Sequence, residues 1–205
     1  MPLTFQHVFE PGELPTAPPL LLLHGTGGNE HDLLPLARTL SPGSALLSPR
    51  GKVSERGAAR FFARLAEGVF DPAEIRQRTH ELADFIAESA NAYHFDPLRL
   101  IALGVSNGAN IAATLLQLRP VVLGGAALMR PMVVLDHPAA GGTLTGKRVF
   151  IASGTQDPLV PNDHPHRLAA HFRSGGAEVT LHTSPAAHNL VRDDIIAAQA
   201  WFTGK

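Results

Sequence analysis

The sequence predicts an α/β protein: one domain with a mostly parallel central sheet and helices on both faces. Three observations predict it. The apolar runs are continuous rather than alternating, as in strands buried on both faces. Stretches with apolar residues at helical spacing separate them, the order that gives parallel strands joined by crossovers. The chain has 205 residues, 44% of them hydrophobic, with no repeat, low-complexity tract or interdomain linker, so it fills a single core spanning residues 1–205.

The elements follow in order. "TFQHVF" (Thr4 to Phe9) alternates like an edge strand. "PLLLLHG" (Pro19 to Gly25) reads as a buried strand ending in a glycine loop, and "ALLSP" (Ala45 to Pro49) as a short second strand. Residues 50–72 are less regular, with Phe61, Phe62 and Phe70 among several arginines. That segment reads either as a lid or pocket wall, or as an ordinary amphipathic helix. From Glu74 to Ala92, Ile75, Leu82, Phe85, Ile86 and Ala90 recur at helical spacing. "LRLIALG" is a third buried strand, and a helix runs on from Asn107 to Leu118. "GGAALM" (Gly124 to Met129), "KRVFIASG" (Lys147 to Gly154) and "AEVTLHT" (Ala177 to Thr183) are further strands. Helices are expected over Pro165 to Arg173 and Leu190 to Phe202. "PGELPTAPP" and "PAAGGTLTGK" are loops rich in Pro and Gly.

Composition narrows the function. Seventeen basic and 18 acidic residues give a net charge of -1, which argues against nucleic acid or an anionic membrane surface as a partner. With no cysteine there is no disulfide framework, thiolate nucleophile or cysteine metal site. The N-terminus lacks the basic and apolar regions of a signal peptide. No run approaches the roughly 18–20 apolar residues of a membrane span. A soluble, cytoplasmic protein is expected.

The sharpest signal is Gly104-Val105-Ser106-Asn107-Gly108, placed between a buried strand and a helix. A serine on so tight a turn is held above the strand's carboxyl end. Glycines two before and two after it remove side chains that would collide across the turn. The N–H of Asn107, at the helix N-terminus, then points to where negative charge would develop in acyl transfer. As a bare pattern the motif occurs by chance in loops; the strand–turn–helix context makes Ser106 a nucleophile candidate.

A serine nucleophile needs a base, and a histidine held by a carboxylate supplies one. Asp157 lies just past the fifth buried strand in "ASGTQDPLVP", and His188 just past the sixth in "SPAAHNL". Ser106, Asp157 and His188 therefore come from loops on one edge of a parallel sheet, the edge where ligands bind. Asp136 is a weaker carboxylate candidate. Asp163 sits at a helix start, where an N-cap role is expected. His182 lies within a strand and is expected to pack or face solvent. His164 and His166 form H-x-H without a third ligand in view, so no metal is expected. The "HGTGG" loop lets backbone approach a ligand, and the N–H of Thr26 is the second oxyanion-donor candidate. Neither a P-loop nor a dinucleotide spacing is present. His24 is expected to hold that loop by a hydrogen bond.

"LLLHGTGGNEHDLLPLA", "GVSNGAN", "SGTQDPLVP" and "AAHNL" occur in the order of the α/β-hydrolase superfamily. More narrowly, the chain resembles the phospholipase/carboxylesterase family, which includes the acyl-protein thioesterases. "RFFARLAEGVFD" is most similar to small bacterial carboxylesterases related to the hydroquinone-induced hydrolases. The resemblance covers the chain from Pro19 onward. It implies a single-domain α/β-hydrolase fold and a serine hydrolase without a cofactor. It carries Ser106 as nucleophile, Asp157 as orienting acid, His188 as base, and Thr26 and Asn107 as backbone oxyanion donors. Acyl-protein thioesterases usually have Gln where this chain has Asn107, which argues against long-chain acyl-protein substrates. Dienelactone hydrolases share the fold but use cysteine.

The expected reaction is hydrolysis of a small carboxylic ester through an acyl-enzyme. Thioester hydrolysis by the same machinery is the alternative, and a non-catalytic hydrolase-fold binding protein is a third. Phe61, Phe62, Phe70, Met129, Leu159 and Val160 are candidate pocket walls. The partner is a small-molecule ester. An exposed edge strand or helix could also support a homodimer.

Overall fold

Four consecutive leucines, Leu20–Leu23, have no solvent exposure, because the strand they form is covered on both faces. In the computed structural model, which describes residues 3–204, this strand (β2) lies inside a seven-stranded sheet. Residues 1, 2 and 205 of the expected span 1–205 lie outside the described residues. The other strands are β1 (His7–Glu10), β3 (Leu46–Pro49), β6 (Ile101–Val105), β7 (Gly125–Met129), β8 (Arg148–Gly154) and β9 (Glu178–Ser184). Their order is β1-β3-β2-β6-β7-β8-β9. Only β1 is antiparallel, at one edge against β3, with His7 opposite Pro49. The parallel register aligns Leu23 with Gly104, Val105 with Met129, Met129 with Ala152, and Gly154 with Ser184. The loops that leave these strands therefore emerge along one edge.

Five α-helices among the described residues cover the sheet: α1 (Leu34–Leu40), α2 (Pro72–Tyr93), α3 (Asn107–Leu118), α4 (His164–Ser174) and α5 (Arg192–Thr203). Helices α2, α3 and α4 bury Ile75, Leu82, Phe85, Leu115 and Phe172 in one apolar cluster. Helices α1 and α5 bury Leu34, Leu40, Ala198 and Trp201 in the other. Burying a leucine or phenylalanine contributes about 1.5–3 kcal/mol, so these two layers dominate stability. Helix α2 starts where expected because Asp71 accepts the Ala73 N–H at 2.8 Å and Pro72 suits the first turn.

Two elements depart from the sequence reading. Helix α1, seven residues with Pro35 in its first turn, is too short to show a helical period. Residues 50–72 hold no helix before Pro72. They contain a hairpin of β4 (Val53–Glu55) and β5 (Ala58–Arg60), joined through Arg56 and Gly57 at φ +51° and +87°. Two successive positive-φ residues make a turn whose twist suits a two-residue hairpin. Each strand has only three residues, too few for periodicity to reveal.

The tightest packing lies at the start of α3. A Cβ on Gly108 would stand 1.9 Å from the Leu23 carbonyl oxygen, and one on Gly104 would stand 2.6 Å from that of Gly108. Gly108→Ala is expected to lower the unfolding free energy by ~2 kcal/mol or more, since backbone, not a side chain, must move. Urea denaturation of wild type and variant checks this; equal midpoints would show that the helix can retreat freely.

Candidate active site

The packing of α3 against β2 forces the backbone of the residue between β6 and α3. Ser106 sits there at φ +53°, ψ -116°, a conformation costly for a residue with a Cβ. Its N–H is held by the Met129 carbonyl at 2.9 Å, and its carbonyl accepts from Asn110 at 2.9 Å. The hydroxyl thus stands at the carboxyl edge of the sheet, with the N–H of Asn107 beside it at the first position of α3. An N–H there has no intrahelical acceptor.

The loops after β8 and β9 bring Asp157 and His188 to the same place. His188 Nε2 lies 2.8 Å from Ser106 Oγ, and Nδ1 lies 2.7 Å from Asp157 Oδ2. A carboxylate only accepts, so Nδ1 carries the proton and Nε2 is free to accept from the serine hydroxyl. The second Asp157 oxygen accepts the N–H groups of Leu159 (2.9 Å) and Val160 (3.3 Å), which fixes the carboxylate plane. The Asp157 side chain is almost fully buried and His188 is half-buried, so the chain runs from the interior to the cavity.

The loop after β2 faces this chain. His24 accepts the Gly51 N–H at Nε2 (3.0 Å) and donates from Nδ1 to the Gly25 carbonyl (2.7 Å), the loop-holding role expected of it. The Thr26 N–H has no protein acceptor among the described residues. The hairpin braces both expected oxyanion donors. Ala59 accepts the Gly27 N–H (2.9 Å), Arg60 donates to Thr26 Oγ1 (2.6 Å), and the Phe61 N–H donates to Asn107 Oδ1 (2.8 Å). Three consecutive residues of 50–72 thus grip the site from both sides.

Ser106, His188, Thr26 and Asn107 all open on a cavity of about 310 Å³. Phe70 and Leu159 line it, as the sequence suggested. Phe61, Phe62, Met129 and Val160 are buried and do not line it; the first three belong to the packed layers behind the wall. Met129 fails because it ends a central strand covered on both faces, and the methionine at the cavity is Met132, whose N–H donates to Asn110 Oδ1. Arg60, Arg64 and Glu67 add a polar wall that composition alone did not single out. No spacing signal marks them, because Arg60 ends a short hairpin and Arg64 and Glu67 lie in the irregular stretch after it.

The rival residues lie elsewhere. Asp136 is exposed and pairs with Arg167 at 2.9 Å and His171 at 3.2 Å. Asp163 precedes α4, but its side chain pairs with Arg167 instead of capping the helix. His164 Nδ1 accepts the Val133 N–H at 3.1 Å. His182 is partly buried, its Nε2 3.5 Å from Asp194 Oδ1. Among the described residues no group of three or more His, Cys, Asp or Glu is placed to hold a metal. No helix among them is long and apolar enough to cross a membrane.

No protein-family model matches the chain. It is 44% identical over 200 residues to MhqD of Bacillus subtilis (strain 168), named as a hydrolase, covering 96% of this chain and 97% of that one. The Bacillus cereus carboxylesterase superposes with a TM-score of 0.94 at 44% identity, covering 98% of this chain and 94% of that one. YahD, solved with malic acid, gives 0.90 at 30% identity, covering 96% and 97%. The Mesorhizobium loti carboxylesterase gives 0.84 at 34% identity, covering 91% and 88%. The mostly parallel sheet covered by helices is that of an α/β hydrolase. The chain belongs, within that class, to the carboxylesterases. It is a carboxylic ester hydrolase.

Burial sets the pH response of the loop after β2. His24 is desolvated, which holds its pKa below the ordinary 6.5 despite its Gly25 bond. His164 and His171 shift the same way for the same reason. The unfolded chain then binds more protons than the folded one below pH 6.5. Stability is full above that pH and falls as pH drops through it. Urea denaturation at pH 7.5 and 5.5 should show this fall, with a shallower slope in His24→Asn; an unchanged slope in the variant would remove His24 from the account.

Proposed function

We propose that the chain hydrolyses small carboxylic esters through a Ser106–His188–Asp157 triad and an acyl-enzyme. The observation that carries this reading is the unbroken hydrogen-bonded chain of 2.8 and 2.7 Å that ends on a serine at positive φ. His188 takes the Ser106 proton as Oγ attacks the ester carbonyl. The N–H groups of Thr26 and Asn107 hold the tetrahedral oxyanion, a contribution of about 3–4 kcal/mol per donor in such sites. His188 then protonates the leaving alcohol, and water repeats the cycle on the acyl-enzyme. Asp157 keeps the imidazole in the required tautomer and stabilises its cationic form.

Cavity size and chemistry support a short acyl group. About 310 Å³ with Arg60, Arg64 and Glu67 on one wall has no long apolar channel for a fatty acyl chain. YahD, 30% identical, was solved with malic acid, a small acid of fitting size.

Fluorophosphonate labelling read by intact mass tests the nucleophile. One adduct is expected on wild type and none on Ser106→Ala, with hydrolysis reduced by ~10⁶-fold in that variant. Asp157→Asn should lose ~10⁴-fold in kcat with the fold intact. No adduct on folded wild type would overturn the triad reading. For substrate size, kcat/KM on p-nitrophenyl esters should be highest at two to four acyl carbons (about the size the cavity holds) and lower for octanoate. An optimum at long chains, or on the matched thioesters, would sink the small-ester assignment.

A further inference from the structure

Arg130 is the largest fully buried side chain among the described residues, yet the proposed reaction does not use it. It directly follows β7 and takes a left-handed backbone at φ +56°. A non-glycine residue held there is costly and persists only when its surroundings determine it. What determines it is visible in its partners. Nη1 and Nη2 pair with the two oxygens of Asp194, at 3.2 and 2.5 Å. Nη2 also reaches Ser184 Oγ at 3.2 Å. Two backbone carbonyls also accept, Ala187 from Nε at 3.2 Å and Asn189 from Nη2 at 2.9 Å, so the two Nη2 hydrogens are shared among three acceptors.

Those two carbonyls belong to the residues immediately before and after His188. A side chain that grips both neighbours of a residue fixes where its Cα sits and which way its Cβ points. We infer that Arg130 is the positioning residue for His188, holding the imidazole in line with Ser106 from beneath the loop.

Two further contacts extend the clamp. The carbonyl of Met129, the preceding residue, receives the Ser106 N–H. The Arg130 N–H donates to Ala152 on β8, the strand whose end carries Asp157. One dipeptide at the end of β7 thus ties the serine turn, the aspartate strand and the histidine loop together. Asp194 completes the arrangement from the other side. It accepts the Val191 N–H at 2.9 Å and the Ser184 hydroxyl at 2.9 Å, so both ends of the segment 184–191 are anchored to the same ion pair.

The chemistry requires arginine specifically. The planar fork offers five donors in fixed directions, and here they divide among a carboxylate, a hydroxyl and two carbonyls. A lysine keeps the charge and can pair with Asp194, but one ammonium cannot span carbonyls on either side of a residue. A buried ion pair replaced by apolar residues of similar volume often leaves a fold intact, so a second variant separates clamp from folding.

The inference rests on His188 being the base, and the experiment keeps the two failures apart. Wild type, Arg130→Lys and the double variant Arg130→Met with Asp194→Leu are compared. Each is checked for folding by circular dichroism and thermal unfolding, then assayed with p-nitrophenyl acetate. The expected result is a folded variant whose KM stays within about twofold while kcat falls by roughly 10–100-fold, the loss typical of a catalytic group misplaced by about an ångström. Fluorophosphonate labelling of Ser106 should slow by a similar factor. Three outcomes overturn the inference. One is a folded variant with wild-type kcat. Another is a loss confined to KM. The third is failure of both variants to fold, which makes Arg130 a folding residue. Wild type that takes no fluorophosphonate adduct would instead overturn the triad on which the inference depends.

Discussion

The contact on which the rest depends is the approach of α3 to the end of β2. The helix starts so close to Leu23 and His24 that Gly108 has no room for a Cβ, and Gly104 on β6 has none because the backbone of Gly108 and Ala109 packs against it. Strand and helix can meet at that distance only through a turn that bends sharply. The bend places Ser106 in its costly conformation and leaves the Asn107 N–H without an intrahelical acceptor. The steric strain is local. It is borne by a core in which β2, β6 and α3 are almost wholly buried.

Around that turn, polar groups are held by directed hydrogen bonds rather than by charge alone. His24 bridges to Gly51, Asn107 to Phe61, Thr26 to Arg60, and Asp157 to two backbone N–H groups. Glu30, also buried, is held below the usual carboxylate range by its bonds to Arg50 and lies in the loop between β2 and α1. Such groups are costly to bury unpaired and stabilise a single arrangement when paired. The consequence is a pre-organised edge: each side chain of the proposed mechanism has its direction set by a neighbour that the reaction does not consume. Hydrogen bonds from rigid strands and a hairpin keep donors aimed where charge develops, which is where catalytic free energy comes from in acyl transfer.

The hairpin illustrates how a segment with weak local signals acquires a role. Its strands are three residues each and its apolar residues point partly into the core, so Phe61 and Phe62 look like pocket walls in the sequence but pack as foundations. The share of the cavity surface that residues 50–72 supply falls instead to Arg60, Arg64, Glu67 and Phe70. A hairpin this short is not stable alone. It is ordered by what it touches, including Gly27 and Asn107.

The chain by itself determined the sheet, its parallel sense, the order of its main elements, and the grouping of Ser106, Asp157 and His188 on one edge. It could do so because burial on both faces imprints continuous apolar runs, and because a strand–turn–helix motif with flanking glycines records a steric requirement in adjacent letters. Helix α1, the hairpin, the true cavity lining and the Arg130 clamp were decided only in three dimensions. Each depends on contacts between residues far apart in the chain: Arg130 reaches Asn189, and Phe61 reaches Asn107. A short element or a single buried arginine leaves no period to read. Its partners, and so its meaning, exist only once the loops have been brought together by the sheet.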